Sequence, residues 1–278
     1  MRASLRVALA ALLALTPIVA GCSSEADVPE PVADNPRRVT YGDDPSQFVD
    51  LWLPADTSAA LPVVVLIHGG FWRAQYGLDL MEPLAQDLIA RGYAVLNIEY
   101  RRVGIGGGYP ETLFDVAAAI ELLPTFSVAL DLDNVVTIGH SAGGHLSLWA
   151  GSRGALPDGA AGAKPLVVPR LSIGLGPVFD LAASDAARVG SGAVTDFMGG
   201  SASELPDEYV IATPTAAAGV PLGVVRGELD DIVPAQFAVP TPIGDVTVVD
   251  IPGEDHFDLI NPASRSWAAV IELLNGAR

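Results

Sequence analysis

A serine framed by glycines lies between an apolar run and an apolar segment without turn residues. Ser141 is the centre of Gly139-His140-Ser141-Ala142-Gly143, which follows Val135–Ile138 and precedes His145–Ala150. A serine in a sharp strand-to-helix turn is pushed out of the sheet with its hydroxyl exposed, so this G-x-S-x-G pattern predicts a nucleophile. Glycines are needed on either side because a side chain there would collide with the neighbouring strand and helix.

A serine nucleophile needs a general base, and the chain has four histidines. His68 begins a glycine-rich turn, and His140 and His145 flank the serine, where their rings are committed to local packing. His256 remains, on a loop after the alternating run Val246–Ile251, from which it could reach back over the sheet edge. We therefore predict that His256 is the base.

The third member of such a triad is a carboxylate between the serine and the histidine in the chain. Leu222–Arg226 is typical of a buried strand, and the acidic turn after it carries Glu228, Asp230 and Asp231. Either aspartate could orient the imidazole and stabilise its charged form. Glu228 is the weaker candidate because it lies closer to the strand end.

Two glycines follow the almost wholly apolar run Leu61–Ile67, which is typical of a central strand buried on both faces. Gly69 and Gly70 let the backbone approach a reacting carbonyl, with N–H groups free to donate. Together with the N–H of Ala142 they could form an oxyanion hole, in which loss of one donor costs about 10²–10³ in rate. The alternative is a strand-to-loop turn without a catalytic role.

Three further residues are candidates for substrate binding. Phe71 and Trp72 directly follow the glycine pair, and His140 precedes the serine. Aromatic side chains bury large areas both in pockets and in cores, so core packing is an equal alternative for the first two.

These motifs together resemble the α/β-hydrolase family, and within it the esterase and kynurenine-formamidase-like group. The residues that carry the resemblance are His68-Gly69-Gly70-Phe71-Trp72, Glu99-Tyr100-Arg101, Gly139 to Leu146, Gly227-x-x-Asp230-x-x-Val233-Pro234 and Asp255-His256, with Tyr41-Gly42-Asp43 and Asp50 to Pro54 as its first strands. The resemblance runs from about Tyr41 to the C-terminus. It implies a Ser-His-Asp triad, no cofactor and hydrolysis of esters or related acyl bonds, and its spacing favours Asp230 over Asp231.

The sequence departs from the family pattern at two places. The helix expected after Val233-Pro234 must be short, because Ala238–Gly244 contains two prolines. The segment from Pro177 to Pro214 occupies the usual cap position, but its helical pattern is poor. We therefore expect a small, poorly defined cap.

Apolar runs of strand type alternate with helical patterns along the chain. This alternation predicts an α/β fold with a mostly parallel α/β-hydrolase sheet covered by helices on both faces, and the site at the carboxyl ends of its strands. The other predicted strands are Phe48–Leu53, Tyr93–Ile98 and Leu171–Leu175, and the predicted helices are Asp79–Arg91, Thr112–Leu123 and Ala263–Leu274.

Several other signals do not indicate a cofactor or a nucleic-acid site. The run Gly104–Tyr109 imitates a dinucleotide fingerprint, but it lacks the last glycine and an acidic partner, and a flexible loop over the site fits it better. Arg101 and Asp115 could form a structural ion pair. No Cys or His cluster has metal spacing, and no basic run occurs after the first six residues, so we expect neither a metal nor a nucleic-acid partner.

The first 22 residues are typical of a bacterial lipoprotein signal peptide. A basic start and an apolar core lead to Val19-Ala20-Gly21-Cys22, and Cys22 is the single cysteine of the chain. We expect residues 1–22 to be the signal, residues 23–36 an acidic, Pro-rich, disordered tether, and residues 37–278 the hydrolase domain. The protein would then be exported and held to the cell membrane, outside the cytoplasm, by lipid on Cys22. The alternative is an ordinary cleaved signal with an incidental cysteine.

The 278 residues suffice for one large core, and a formal net charge of −18 disfavours anionic partners. The preferred function is a serine hydrolase that cleaves small carboxylic esters. An aryl formamide substrate and acyl transfer to an alcohol remain open, because one triad serves all three reactions. A non-catalytic binding lipoprotein on the same scaffold is the alternative from another class. The sequence leaves the oligomeric state open.

Overall fold

The computed structural model describes residues 36–240 and 246–276. The predicted signal peptide, which includes Cys22, lies outside these residues, and so does almost all of the predicted tether. The same holds for part of the proline-containing loop before the last strand.

The described residues form one eight-stranded sheet. Its strands are β1 (Arg37–Thr40), β2 (Phe48–Trp52), β3 (Leu61–Ile67), β4 (Ala94–Ile98), β5 (Leu130–His140), β6 (Leu171–Leu175), β7 (Leu222–Gly227) and β8 (Val246–Ile251). They are arranged in the order β1-β2-β4-β3-β5-β6-β7-β8. β2 pairs antiparallel with both β1 and β4, and every pair from β4 to β8 is parallel. The predicted, mostly parallel α/β-hydrolase sheet is confirmed.

Seven α-helices accompany the sheet in the described residues. They are α1 (Glu82–Ala90), α2 (Glu111–Ile120), α3 (Ala142–Ser152), α4 (Leu181–Ala186), α5 (Val189–Met198), α6 (Pro206–Ala212) and α7 (Arg265–Gly276). The helix after Ser141 is longer at both ends than the predicted His145–Ala150. The helix after Pro234 is a single 3₁₀ turn, Ala235–Phe237, which confirms that it is short.

The central strand separates two apolar layers. In β3, Val63, Val65 and Ile67 pack into one layer with α2 and α3, whereas Val64 and Leu66 pack into the other with α1 and α7. Side chains alternate across a strand, so a continuous apolar run is what a strand covered on both faces requires. The predicted helical cover on both faces is confirmed.

One prediction about local structure was wrong, and the cap contains more helix than its sequence pattern indicates. Tyr41-Gly42-Asp43 is a bend rather than a strand, and the first strand lies just before it at Arg37–Thr40. The cap segment has a defined structure with three helices, α4 to α6, although its helical pattern is poor. Its helices are short, and α5 contains left-handed residues at Gly190, Ser191 and Gly192, which break the periodicity that sequence reasoning relies on.

None of the helices formed by residues 36–240 and 246–276 has the length and apolarity needed to cross a membrane.

Candidate active site

Ser141 occupies a sharp turn between β5 and α3. Its backbone has φ 56° and ψ −119°, a conformation that L-residues rarely adopt. The flanking glycines make the turn possible, because a Cβ at Gly139 would lie 1.9 Å from the carbonyl oxygen of Gly143. A Cβ at Gly143 would in turn lie 2.2 Å from the carbonyl oxygen of Ile67 at the end of β3. The structure therefore confirms that a side chain at either glycine would collide with the neighbouring backbone.

The turn is held by backbone hydrogen bonds. The N–H of Ser141 donates to the carbonyl oxygen of Leu175 over 2.8 Å, and the N–H of His145 donates to the carbonyl oxygen of Ser141 over 3.0 Å. The serine thus lies at the carboxyl ends of β5 and β6 and at the N-terminus of α3, the position predicted for it. It is 3% exposed.

Asp230 and His256 form a buried hydrogen-bonded pair. Nδ1 of His256 lies 2.7 Å from Oδ2 of Asp230, and each side chain is 4% exposed. The other oxygen of Asp230 accepts the N–H groups of Ile232 and Val233. Since this carboxylate accepts at both oxygens, Nδ1 of His256 donates the proton and Nε2 is left free to act as a base. Asp231, the alternative acid, is exposed.

Gly176 brings this pair to the serine. Gly176 follows Leu175, whose register partner in β5 is His140, so Ser141 and Gly176 leave neighbouring strands side by side. A Cβ at Gly176 would lie 2.9 Å from Oδ2 of Asp230 and 3.1 Å from Nδ1 of His256. A side chain at this position would therefore push the pair away from the strand ends.

His140 contacts the catalytic candidate rather than packing only locally, which corrects the expectation from the sequence. Its Nε2 donates to the carbonyl oxygen of His256 over 2.9 Å, and the two rings lie 4.5 Å apart. Burial and, to a smaller extent, the charge of His256 lower the pKa of His140 to about 3, against the opposing effect of its hydrogen bond to the His256 backbone. A neutral His140 thus fixes the backbone of His256 without competing for its proton. This contact gives it a positioning role.

The glycine pair after β3 lies against the serine. A Cβ at Gly69 would lie 3.0 Å from Cβ of Ser141 and 2.6 Å from the carbonyl oxygen of His140. This close approach requires glycine. The structure therefore places Gly69, Gly70 and Ala142, the predicted oxyanion donors, around the turn that carries Ser141.

His68 orients the peptide between the two glycines. Its Nδ1 donates to the carbonyl oxygen of Gly69 over 2.7 Å. In a planar trans peptide the following N–H points the opposite way, so this bond also fixes the direction of the Gly70 N–H. The ring itself is stacked on Tyr100, with centroids 4.4 Å apart, and the Tyr100 hydroxyl donates to the His68 carbonyl oxygen.

Glu99 holds His68 from behind. Its Oε1 accepts from Nε2 of His68 over 2.9 Å, and its oxygens also accept the N–H groups of Tyr100 and Leu78. Burial raises the pKa of Glu99, but the hydrogen bond from His68 and the charges of His68 and Arg102 outweigh it and leave the pKa below its usual value. A buried carboxylate thus supports the loop of Gly69 and Gly70 through His68. The sequence contains the motif Glu99-Tyr100-Arg101, but no local pattern in it indicates this contact.

The two aromatic residues of the loop have different surroundings. Phe71 and Trp72 both have left-handed backbones, with φ 58° and 56°. Trp72 is 1% exposed, stacks on Phe197 and meets the edge of His145. Its prediction as a substrate-binding residue is corrected, because its ring fills the core. Phe71 is partly exposed beside Gly70 and keeps its candidate role.

The cap lies directly on this loop. A Cβ at Gly190 would lie 2.5 Å from Cδ1 of Phe71, so the glycine backbone forms the surface against which the ring packs. Beside it, Arg73 forms an ion pair with Asp196 at 2.8 Å. Residues of α5 thus fix the position of Phe71, which sequence reasoning missed because the helical pattern there is weak.

The remaining candidates have structural roles. Arg101 and Asp115 form the predicted ion pair through two hydrogen bonds of 2.8 Å. The loop Gly104–Tyr109 is tied to the cap by the Tyr109 N–H, which donates to the carbonyl oxygen of Phe197 over 2.7 Å. Within the part of the chain that the structure describes, no group of three or more His, Cys, Asp or Glu could hold a metal ion.

Comparison with solved structures identifies the fold. A truncated carbohydrate esterase from gut microbiota matches with TM-score 0.72 and 19% identity, over 89% of this chain and 99% of that one. Esterase B from Lactobacillus rhamnosis matches with TM-score 0.71 and 24% identity, over 89% of this chain and 87% of that one. At this identity the likeness shows the α/β-hydrolase fold alone.

Curated relatives match about two fifths of the sequence. Esterase LipC from Mycobacterium tuberculosis is 37% identical over 122 residues, which are 41% of this chain and 29% of LipC. Kynurenine formamidase from Danio rerio is 27% identical over 110 residues, which are 39% of this chain and 36% of that enzyme. The chain thus spans about a third of the length of these relatives. The BD-FAE family matches residues 49–239, well over half of the 278 residues, and the chain therefore belongs to the BD-FAE family.

Proposed function

We propose that the protein is a serine hydrolase that cleaves small carboxylic esters through Ser141, His256 and Asp230. The observation that carries the proposal is the buried 2.7 Å hydrogen bond between Asp230 and His256, at the strand ends where Ser141 occupies its strained turn. The matches to LipC and to other esterases support ester substrates.

In the first half-reaction Oγ of Ser141 attacks the acyl carbon, and Nε2 of His256 accepts the hydroxyl proton. Asp230 keeps the ring in the required tautomer and stabilises its charge. The carbonyl oxygen becomes an oxyanion, which accepts hydrogen bonds from the N–H groups of Gly69, Gly70 and Ala142. The C–O bond to the alcohol then breaks, His256 gives its proton to the leaving oxygen, and Ser141 carries the acyl group.

In the second half-reaction water takes the place of the alcohol. His256 accepts a proton from the water as its oxygen attacks the acyl carbon. Collapse of the intermediate returns the proton to Oγ of Ser141 and releases the carboxylic acid. No cofactor is needed for either half.

The test compares the full-length protein with its Ser141→Ala variant on p-nitrophenyl esters of increasing acyl length. The variant is expected to lose turnover by about 10⁴–10⁶, as triad substitutions do. A fluorophosphonate probe should label the wild type and leave the variant unlabelled. Hydrolysis that survives in the variant would sink the proposal, as would a folded wild type that neither cleaves an ester nor reacts with the probe.

An aryl formamide is the second candidate substrate, favoured by the match to kynurenine formamidases. The same attack on a formyl carbon would release formate and an aryl amine. Assaying N-formylkynurenine beside p-nitrophenyl acetate decides between the two. A kcat/KM for the formamide that exceeds that for every ester would make the formamidase the better description.

We further propose that the protein is exported and anchored to the cell membrane, facing outside the cytoplasm, through lipid on Cys22. The support is the sequence pattern around Val19-Ala20-Gly21-Cys22. Cells grown with labelled palmitate should incorporate label into the wild type and not into Cys22→Ser. Equal labelling of both, or labelling of neither, would contradict the anchor.

A further inference from the structure

An exposed aromatic ring lies beside the proposed base. Phe257 is 57% exposed although it directly follows the buried His256. Its ring meets that of His256 edge-on, with centroids 5.6 Å apart, and lies 6.2 Å from the ring of His140. The ring therefore extends from the reacting centre to solvent.

The backbone at Phe257 is fixed. Its N–H donates to Oδ1 of Asp255 over 2.8 Å, and the N–H of Asp258 donates to the same oxygen. His140 holds the preceding carbonyl group. These bonds fix the backbone on both sides of Phe257, and from this position its ring lies against that of His256.

The chemistry of the proposed reaction decides which part of a substrate reaches this ring. The base must come within about 2.6–3.2 Å of the leaving oxygen to protonate it. The carbonyl oxygen of the substrate points toward Gly69 and Gly70. The alcohol portion therefore lies on the side of His256, against Phe257.

The neighbouring loop, which carries Asp230, also has an exposed apolar side chain. Leu229, directly before Asp230, is 60% exposed, and its N–H donates to the carbonyl oxygen of Glu254 over 2.9 Å, which joins the two loops. Carboxylates also lie on these loops, at Glu228, Asp231, Asp255 and Asp258. The two joined loops thus carry exposed apolar side chains together with carboxylates.

We propose that Phe257 is a specificity-determining residue that binds the leaving group, and that the substrates are esters of uncharged apolar or aromatic alcohols. The proposal rests on the function proposed above and specifies its substrate class. Ring contact favours an aromatic or alkyl alcohol, and the surrounding carboxylates repel an alcohol that carries a negative charge.

The experiment varies the alcohol while the acyl group stays constant. The full-length wild type, Phe257→Ala and Phe257→Tyr are assayed for kcat/KM on ethyl acetate, benzyl acetate, 4-carboxybenzyl acetate and ethyl butyrate. Phe257→Ala should lower the preference for benzyl over ethyl acetate about tenfold, and Phe257→Tyr should keep it because the ring remains. The wild type should cleave benzyl acetate faster than its carboxylated analogue.

The matched control is Phe114→Ala, which removes another exposed phenylalanine, 49% exposed, from α2. It should leave the benzyl preference unchanged. The inference is overturned if Phe257→Ala keeps the benzyl preference, or if it changes the ratio of ethyl butyrate to ethyl acetate instead, which would put the ring on the acyl side. Equal cleavage of the charged and uncharged benzyl esters would overturn the charge argument.

A wild type that cleaves none of the four esters would contradict the proposed function and this inference with it. Normal ester hydrolysis without a role for Phe257 would contradict the inference alone.

Discussion

Asp230 lies 2.7 Å from the ring of His256, and both side chains are almost completely shielded from water. A carboxylate in such a place is stable only with partners, and it has three: the imidazole and the N–H groups of Ile232 and Val233. Asp230 is thus a buried hydrogen-bond acceptor, and its contact with Nδ1 holds His256 in one tautomer.

Replacing this carboxylate by an amide should abolish most of the turnover. Asp230→Asn can donate where the wild type accepts, so the ring of His256 turns or changes tautomer, and kcat is expected to fall by about 10⁴. Steady-state kinetics on p-nitrophenyl acetate measure the change. Asp231→Asn is the matched control, because it makes the same replacement at the exposed neighbouring position and should leave kcat within about twofold. Equal losses in the two variants would contradict the assignment of Asp230.

The sequence predicted the contact between Asp230 and His256 because their chain order, the strand ends and the small number of histidines left few choices. It missed Gly176, although a glycine after an apolar strand is a known sign of close backbone approach. The catalytic roles of these residues stay predictions until the variants are measured.

The sheet was more predictable than the cap for a physical reason. A strand such as Leu61–Ile67, covered on both faces, must be apolar throughout, and this shows directly in the sequence. The helices α4 to α6 are short, and α5 includes left-handed glycines, so no 3.6-residue period develops. Likewise, the carboxylate partner of His68, Glu99, lies 31 residues away, and local patterns carry no information about that contact.

Loss of the charge on Glu99 should weaken the oxyanion hole. In Glu99→Gln the ring of His68 loses its charged acceptor, and the Gly69–Gly70 peptide that it orients becomes less fixed. We expect kcat to fall at least about tenfold, but by less than the 10²–10³ that follows outright loss of an oxyanion-hole donor. The change in KM should be smaller.

Binding of a trifluoromethyl ketone, which mimics the oxyanion, should weaken in Glu99→Gln in parallel with kcat. Glu121→Gln is the control, since it removes another carboxylate that pairs with a buried guanidinium, that of Arg153 at 2.6 Å. It should lower stability and leave kcat unchanged. Inhibitor binding that stays at the wild-type level in Glu99→Gln would show that the Glu99–His68 contact has only a structural role.

Gly190, against which the ring of Phe71 packs, should affect the preference for the acyl chain length of the substrate. In Gly190→Ala the new methyl group would lie 2.5 Å from Cδ1 of Phe71, so the ring, a candidate substrate contact, must move. We expect the optimum acyl length on p-nitrophenyl esters to shift. Gly199→Ala provides the control, because Gly199 is also left-handed, with φ 78°, and has no atoms within 4 Å of its Cβ position. Both variants place alanine in the left-handed region, so an identical acyl-length profile for the two would exclude the contact with Phe71 as the cause.

Acid should destabilise the protein through His145. Burial lowers the pKa of His145 to about 4, although the hydrogen bond from its Nε2 to the carbonyl oxygen of Ala212 opposes this shift. In the unfolded chain the pKa is about 6.5, so between pH 6.5 and 4 the unfolded state binds a proton that the folded state does not. The stability present above pH 6.5 is therefore lost as the pH falls, by up to about 1.4 kcal/mol per pH unit. Urea unfolding at pH 7.5, 6 and 5 should show a slope in His145→Gln that is smaller than the wild-type slope by about that amount, because buried His140 contributes its own share in both proteins. An unchanged slope in the variant would mean that other groups take up the proton.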